Sequence, residues 1–85
     1  LVDGLLDVDE FKEFFHIDKE LPGEEKDLYK TMGGLLNVLF GRIPKELDKA
    51  KWNSYTFEVI DMDHTRIDKI LVTYEEPIVE QEEEK

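Results

Sequence analysis

One stripe of apolar residues inside Thr31–Pro44, TMGGLLNVLFGRIP, limits the fold more than any other feature of the chain. Met32, Leu35, Leu36, Leu39, Phe40 and Ile43 recur at the spacing of a single buried helical face. Thr31 stands where a hydroxyl satisfies an orphan backbone N–H at a helix start. Gly41 suits a left-handed exit, where a side chain would clash. Pro44 cannot continue a helix and biases Ile43 toward an extended backbone. Gly33 and Gly34 fall in the first turn, each costing about 1 kcal/mol relative to alanine. They point to a close backbone approach, by a neighbouring strand in the preferred reading or else by a ligand.

The remaining elements arrange themselves around this helix. Leu1–Leu6 is short and apolar and reads as a strand, with Gly4 marking a bulge or a close contact. Asp7 opens a second helix that runs to about His16, with Glu10 placed to complete a capping box. Val8, Phe11, Phe14 and Phe15 supply its buried face. Ile17–Asp27 carries Pro22-Gly23 and little to bury, so it reads as a tolerant loop under which only Ile17 and Leu21 tuck. A short strand is expected around Ala50–Trp52, followed by an Asn53-Ser54 turn. Tyr55–Ile60 alternates like a strand, Asp61–Thr65 turns the chain, and Arg66–Tyr74 is the last strand. Ile67 is out of phase with Ile70, Val72 and Tyr74, which predicts a bulge near Asp68-Lys69. Two apolar helical stripes and a strand hairpin give an α+β fold, both helices packed on one face of a small, mainly antiparallel sheet. Residues 1–75 form the domain, and 76–85 read as an acidic mobile tail.

The net charge of −11 on 85 residues argues against a nucleic-acid partner and against an anionic lipid surface. It permits cations or a basic protein partner. The absence of cysteine excludes disulfides, thiolate metal sites and cysteine nucleophiles. No apolar run approaches the ~20 residues of a membrane helix, so this segment does not insert. The chain starts at Leu1, mid-pattern, and reads as a piece of a longer protein.

Chemistry-bearing patterns are sparse. Asp61-x-Asp63-x-Thr65 opens like a calcium loop, but Arg66 and Val72 stand where that loop needs glycine and a bidentate acid. Asp7-x-Asp9 fails in the same way at Phe11. Asp61, Asp63 and His64 remain the weak metal candidates, as the densest set of potential ligands in one turn. Neither His16 nor His64 has a second ligand at a fixed spacing. Gly33-Gly34 lacks the rest of a Walker or dinucleotide pattern, and no serine-histidine-aspartate signature is present. No catalytic residue is assigned, and no enzyme is expected.

The run TMGGLLNVLFGRIP, followed by Asp48, YTFEVIDMD and RIDKILV, resembles the transporter-associated domain of the CorC/HlyC family. The resemblance extends from about Val2 to Tyr74. The motif positions it picks out are Thr31, Gly33, Gly34, Gly41, Arg42, Ile43, Pro44, Asp48, Phe57, Glu58, Val59, Arg66 and Ile67, all given a structural role. Arg42 is expected to pair with Asp48 or Glu58 at the helix–sheet corner, the alternative being that an arginine docks the domain on its parent. The family pattern carries glycine where Leu47 stands, so a glycine-type turn is not expected there. The resemblance implies a fold similar to FAD-binding domains of the vanillyl-alcohol-oxidase type. It also implies a non-enzymatic accessory domain on the cytoplasmic side of a bacterial inner membrane. Its parent would be a Mg/Co efflux protein or a hemolysin-like protein, with a pair of CBS domains and a membrane domain as partners. No cofactor is expected. Alternatives are a flavin or nucleotide sensor, on fold analogy alone, and a module that forms a homodimer.

Overall fold

The computed structural model describes residues 1–75, and the expected tail at 76–85 lies outside the described residues. The chain order is β1 (Val2–Asp3), α1 (Val8–Phe14), a 3-10 turn (Glu24–Lys26), α2 (Met32–Phe40), β2 (Lys49–Trp52), β3 (Tyr55–Asp63) and β4 (Arg66–Tyr74). The strands form one antiparallel sheet in the order β1-β4-β3-β2. Both helices cover one face of it. Phe11 from α1, Met32, Leu35 and Leu36 from α2, and Phe57, Val59, Ile67 and Ile70 from the sheet close a single core. The α+β architecture expected from the two stripes is the one observed.

The central helix starts and stops where its sequence dictates. Thr31 Oγ accepts the Gly34 N–H at 3.2 Å, and Gly41 exits left-handed at φ 69°. The stripe is shorter than its period implied. Leu39 and Phe40 are half-buried, and Ile43, beyond the helix, is 56% exposed. Pro44 is buried in its place.

Several local expectations are corrected. β1 is only Val2–Asp3, because the chain turns at Gly4 to meet α2. Asp7 caps α1 by accepting the Asp9 N–H at 2.8 Å, so the bond expected to complete a box with Glu10 is replaced by a shorter-range one. The helix ends at Phe14, two residues early, and His16 is left-handed at φ 57°. Phe14 is 77% exposed. Counted from Val8, Phe11 and Phe15 follow the helical stripe and Phe14 falls well off it.

The Ile17–Asp27 segment, expected as a tolerant loop, tucks Leu21 beneath it as expected and is also anchored by side chains. Leu21 is fully buried, and Lys12 Nζ meets Glu24 at 2.9 and 3.0 Å. Glu24 also accepts the Leu21 N–H at 2.8 Å. Burial pushes this carboxyl up, but the Leu21 N–H and the Lys12 ammonium outweigh it and hold the group below its ordinary value. Tyr29 donates to the Pro22 carbonyl at 2.6 Å, and burial with the nearby Glu24 and Glu25 pushes its hydroxyl up to about 12.

The expected turn at Asp61–Thr65 is narrower. Asp61, Met62 and Asp63 belong to β3, and only His64 and Thr65 reverse the chain, His64 with φ 60°. Val59 pairs with Ile70, Asp61 with Lys69 and Met62 with Ile67. Ile60 on β3 and Asp68 on β4 are therefore the unpaired residues, and the two slips cancel. The bulge expected at Asp68 is present, and its compensating partner at Ile60 is an addition. Together they bring Ile67 into the core beside Ile70, and the Asp68 carbonyl accepts the Gly4 N–H at 2.8 Å.

Candidate functional site

The glycine pair at the start of α2 is a backbone crossing. Gly33 N–H donates to the Gly4 carbonyl and Met32 N–H to the Leu6 carbonyl, both at 2.8 Å. A Cβ on Gly33 would stand 3.1 Å from the Gly4 oxygen, and one on Gly34 would stand 2.7 Å from Tyr29 Cβ. The first N–H groups of the helix are thus spent on Gly4, Leu6 and Thr31. Close approach by a neighbouring segment is the observed cause, and the anion-binding donors of a free helix start are occupied.

The Gly41–Asp48 corner is a polar lock. Arg42 donates to Asp48 Oδ2 at 3.0 Å, and the Lys45 N–H reaches the same oxygen at 2.9 Å. The Lys45 N–H and Arg42 hold the Asp48 carboxyl below its ordinary value. The guanidinium also lies 5.5 Å from the centre of the Phe40 ring. Glu58, the other partner considered for Arg42, stands in β3 opposite Lys49 of β2. Phe57 and Val59 point into the core from the same strand.

Leu47 is left-handed at φ 76°, so the glycine-type turn is present without glycine. Its N–H donates to the Val59 carbonyl at 2.7 Å, and Val59 returns a bond to the Asp48 carbonyl at 2.9 Å. This pairing fixes the backbone and holds leucine in a conformation costing about 1–2 kcal/mol. The side chain is 68% exposed, so little packing is lost on its removal. Leu47→Gly is expected to stabilise the domain by about 0.5–1 kcal/mol, after allowing for glycine's greater freedom in the unfolded chain. Leu47→Val is expected to do the reverse, and thermal melts of both variants check the pair.

Asp63 is already engaged, with Arg66 at 2.9 Å and His64 Nδ1 at 3.1 Å. Asp61 stands in β3 opposite Lys69. Among the described residues, no group of three or more histidine, cysteine, aspartate or glutamate side chains is placed to hold a metal ion. Asp61, Asp63 and His64 are close in sequence but are divided between a strand pairing and a hairpin clasp.

Two surfaces were not read from the sequence. An apolar hollow of about 360 Å³ is lined by Val2, Leu6, Phe11, Phe14 and Phe15, with Leu1 and Glu10 at its margin. Phe14 standing off the stripe of α1 was its signal. The second is an open cleft of about 380 Å³ between His16–Lys19 and the ring row of Trp52, Tyr55 and Tyr74. That row follows from the two-residue Asn53-Ser54 turn, which sets Trp52 opposite Tyr55, and from Tyr55 pairing with Tyr74.

Comparison with known proteins locates this fold. The family model for CorC_HlyC, described as a transporter associated domain, matches residues 1–76. A UPF0053 protein of Synechocystis is 47% identical over 72 residues, covering 85% of this chain and 16% of that protein. The polyamine export protein of Salmonella typhimurium is 41% identical over 73 residues, covering 86% of this chain and 16% of that protein. The transporter associated domain of a Xylella fastidiosa hemolysin, solved in complex with Mg and Mn, superposes with a TM-score of 0.71 at 31% identity. It covers 88% of this chain and 85% of that one. The chain thus spans only 16% of the length of these two curated relatives.

Proposed function

Because this chain belongs to the CorC/HlyC transporter-associated domain family, we propose that it is a non-enzymatic accessory domain that modulates cation export by a larger membrane protein through protein contacts. The length relation carries the reading. A domain matching 16% of a polyamine export protein is too small a part to be the exporter. No helix among the described residues is long and apolar enough to cross a membrane, and in this reading the transport path is assigned to other parts of the parent. The parent's cargo is a cation, Mg²⁺ or Co²⁺ on the family resemblance, with a polyamine named for the Salmonella relative. The domain is assigned to the cytoplasmic side of the inner membrane, beside CBS domains.

The contact surface favoured is the hollow around Phe14, and its occupant is the rest of the parent chain. An aromatic side chain 77% exposed on a helix that buries Phe11 completely is costly to leave in water and contributes when covered. A domain exchange tests the role. This chain, substituted for the matching segment of the Salmonella exporter, is expected to restore polyamine tolerance to cells lacking that exporter. The same chimera carrying Phe14→Ser is expected to reach the membrane in equal amount and to restore less. Full restoration by an exporter lacking the segment altogether would overturn the role.

A further inference from the structure

Trp52, Tyr55 and Tyr74 make a row of rings across β2, β3 and β4. Trp52 stacks on Tyr55 with centroids 6.0 Å apart, and Tyr55 meets Tyr74 at 4.9 Å. Phe15 packs edge-on to Tyr55, the middle ring of the row, at 5.8 Å. The Tyr74 end of the row is open, with Tyr74 51% exposed. The opposite wall is formed by His16, Ile17, Asp18 and Lys19.

We propose that this cleft binds a small linear alkylammonium cation, with its charged head against the ring faces and the Asp18 carboxylate and its methylene stem along the rings. Aromatic faces are negative and attract cations, most strongly for tryptophan and tyrosine. The whole-chain charge of −11 raises the local concentration of any cation. An amine suits aromatic walls better than Mg²⁺ does, because Mg²⁺ demands octahedral oxygen ligands and releases water reluctantly. Methylene groups gain from burial against rings, and a hydrated metal ion does not. Lys19 has the wrong sign for this ligand and weakens its binding, so the two adjacent side chains report the charge of the occupant in opposite directions. The choice of an amine as the probe rests on the cation-exporter reading above, whereas the sign of the cleft's preference does not.

Trp52 is the only tryptophan, so its emission reads the cleft directly. The chain is titrated with putrescine and spermidine at constant ionic strength, with NaCl and MgCl₂ as matched controls. A saturable emission change in the millimolar range is expected with the amines alone. Tyr74→Ala is expected to weaken binding about two- to fivefold, the scale of one exposed cation–π contact. Asp18→Asn weakens it and Lys19→Gln tightens it, and both sites are exposed enough to leave the fold unchanged. The shift of the Trp52 indole N–H resonance supplies a second readout. An equal response to NaCl or MgCl₂, weaker binding by Lys19→Gln, or silence in both emission and resonance would each overturn the proposal. Rescue by the exporter chimera without amine binding removes only the cleft, and amine binding without rescue removes only the transport role.

Discussion

Phe11→Ala is expected to lower stability by about 3–5 kcal/mol, the range for truncating a fully buried aromatic. Phe11 is the point where α1 meets the sheet. Its ring lies 4.8 Å from Phe15, 6.3 Å from Tyr55 and 6.0 Å from Phe57, and none of it reaches solvent. Alanine leaves a cavity that the rigid strands on the far side cannot close. A domain of this size hides only about 60–65% of its unfolded surface, so a loss on that scale removes much of its stability. Phe14→Ala, three residues along the same helix, is expected to change stability by no more than about 0.5 kcal/mol. Urea midpoints of the two variants check the contrast. Equal shifts would mean that the buried face of α1 is wrongly assigned.

Gly4→Ala is expected to cost more than its single methyl implies. The added Cβ would overlap the Ile67 carbonyl oxygen, which is backbone and cannot rotate away. Gly4 is held on both sides, donating to Asp68 and accepting from Gly33, each at 2.8 Å. The clash therefore displaces β1 from β4, the start of α2, or both. Overpacking of this kind costs about 1–3 kcal/mol or more. With about 4–8 °C of melting temperature per kcal/mol for a small domain, a drop on the order of 10 °C is expected. Hydrogen exchange at the amides of Gly4 and Gly33 should accelerate in the variant. An unchanged melt would show that the crossing is looser than its geometry.

The parts legible in the sequence were those governed by local rules. Thr31, Gly41 and Pro44 mark the limits of α2 through capping, left-handed exit and a missing N–H, and none of these depends on distant residues. Arg66–Tyr74 was readable with its bulge because Ile67 broke the alternation visibly. The failures came where two segments decide together. Asp61 and Asp63 look like turn residues by composition, yet the register with β4 keeps both in β3. Phe14 reads as inward because it follows Phe11 at helical spacing, although its position on α1 relative to Val8 and Phe15 points it outward. Leu47 hid a left-handed turn because the bonds between this segment and Val59, not the residue's own preference, impose φ 76°. The ring cleft needs three strands in register before it exists at all. The ligand chemistry of the candidate site was correspondingly faint in the chain, whereas its scaffold was plain.

Calorimetric titration of the 85-residue chain with Mg²⁺ and Co²⁺ separates a domain that works by contact from one that works by coordination. At about 0.15 M salt the screening length is ~8 Å, so diffuse attraction to scattered carboxylates fades while a coordinated ion persists. Weak heats that diminish as salt is added, with no saturation at micromolar ion, are the result that action through protein contacts predicts. Saturable micromolar binding of one ion per chain, lost on Asp61→Asn or Asp63→Asn, would contradict it and make the domain a metal sensor.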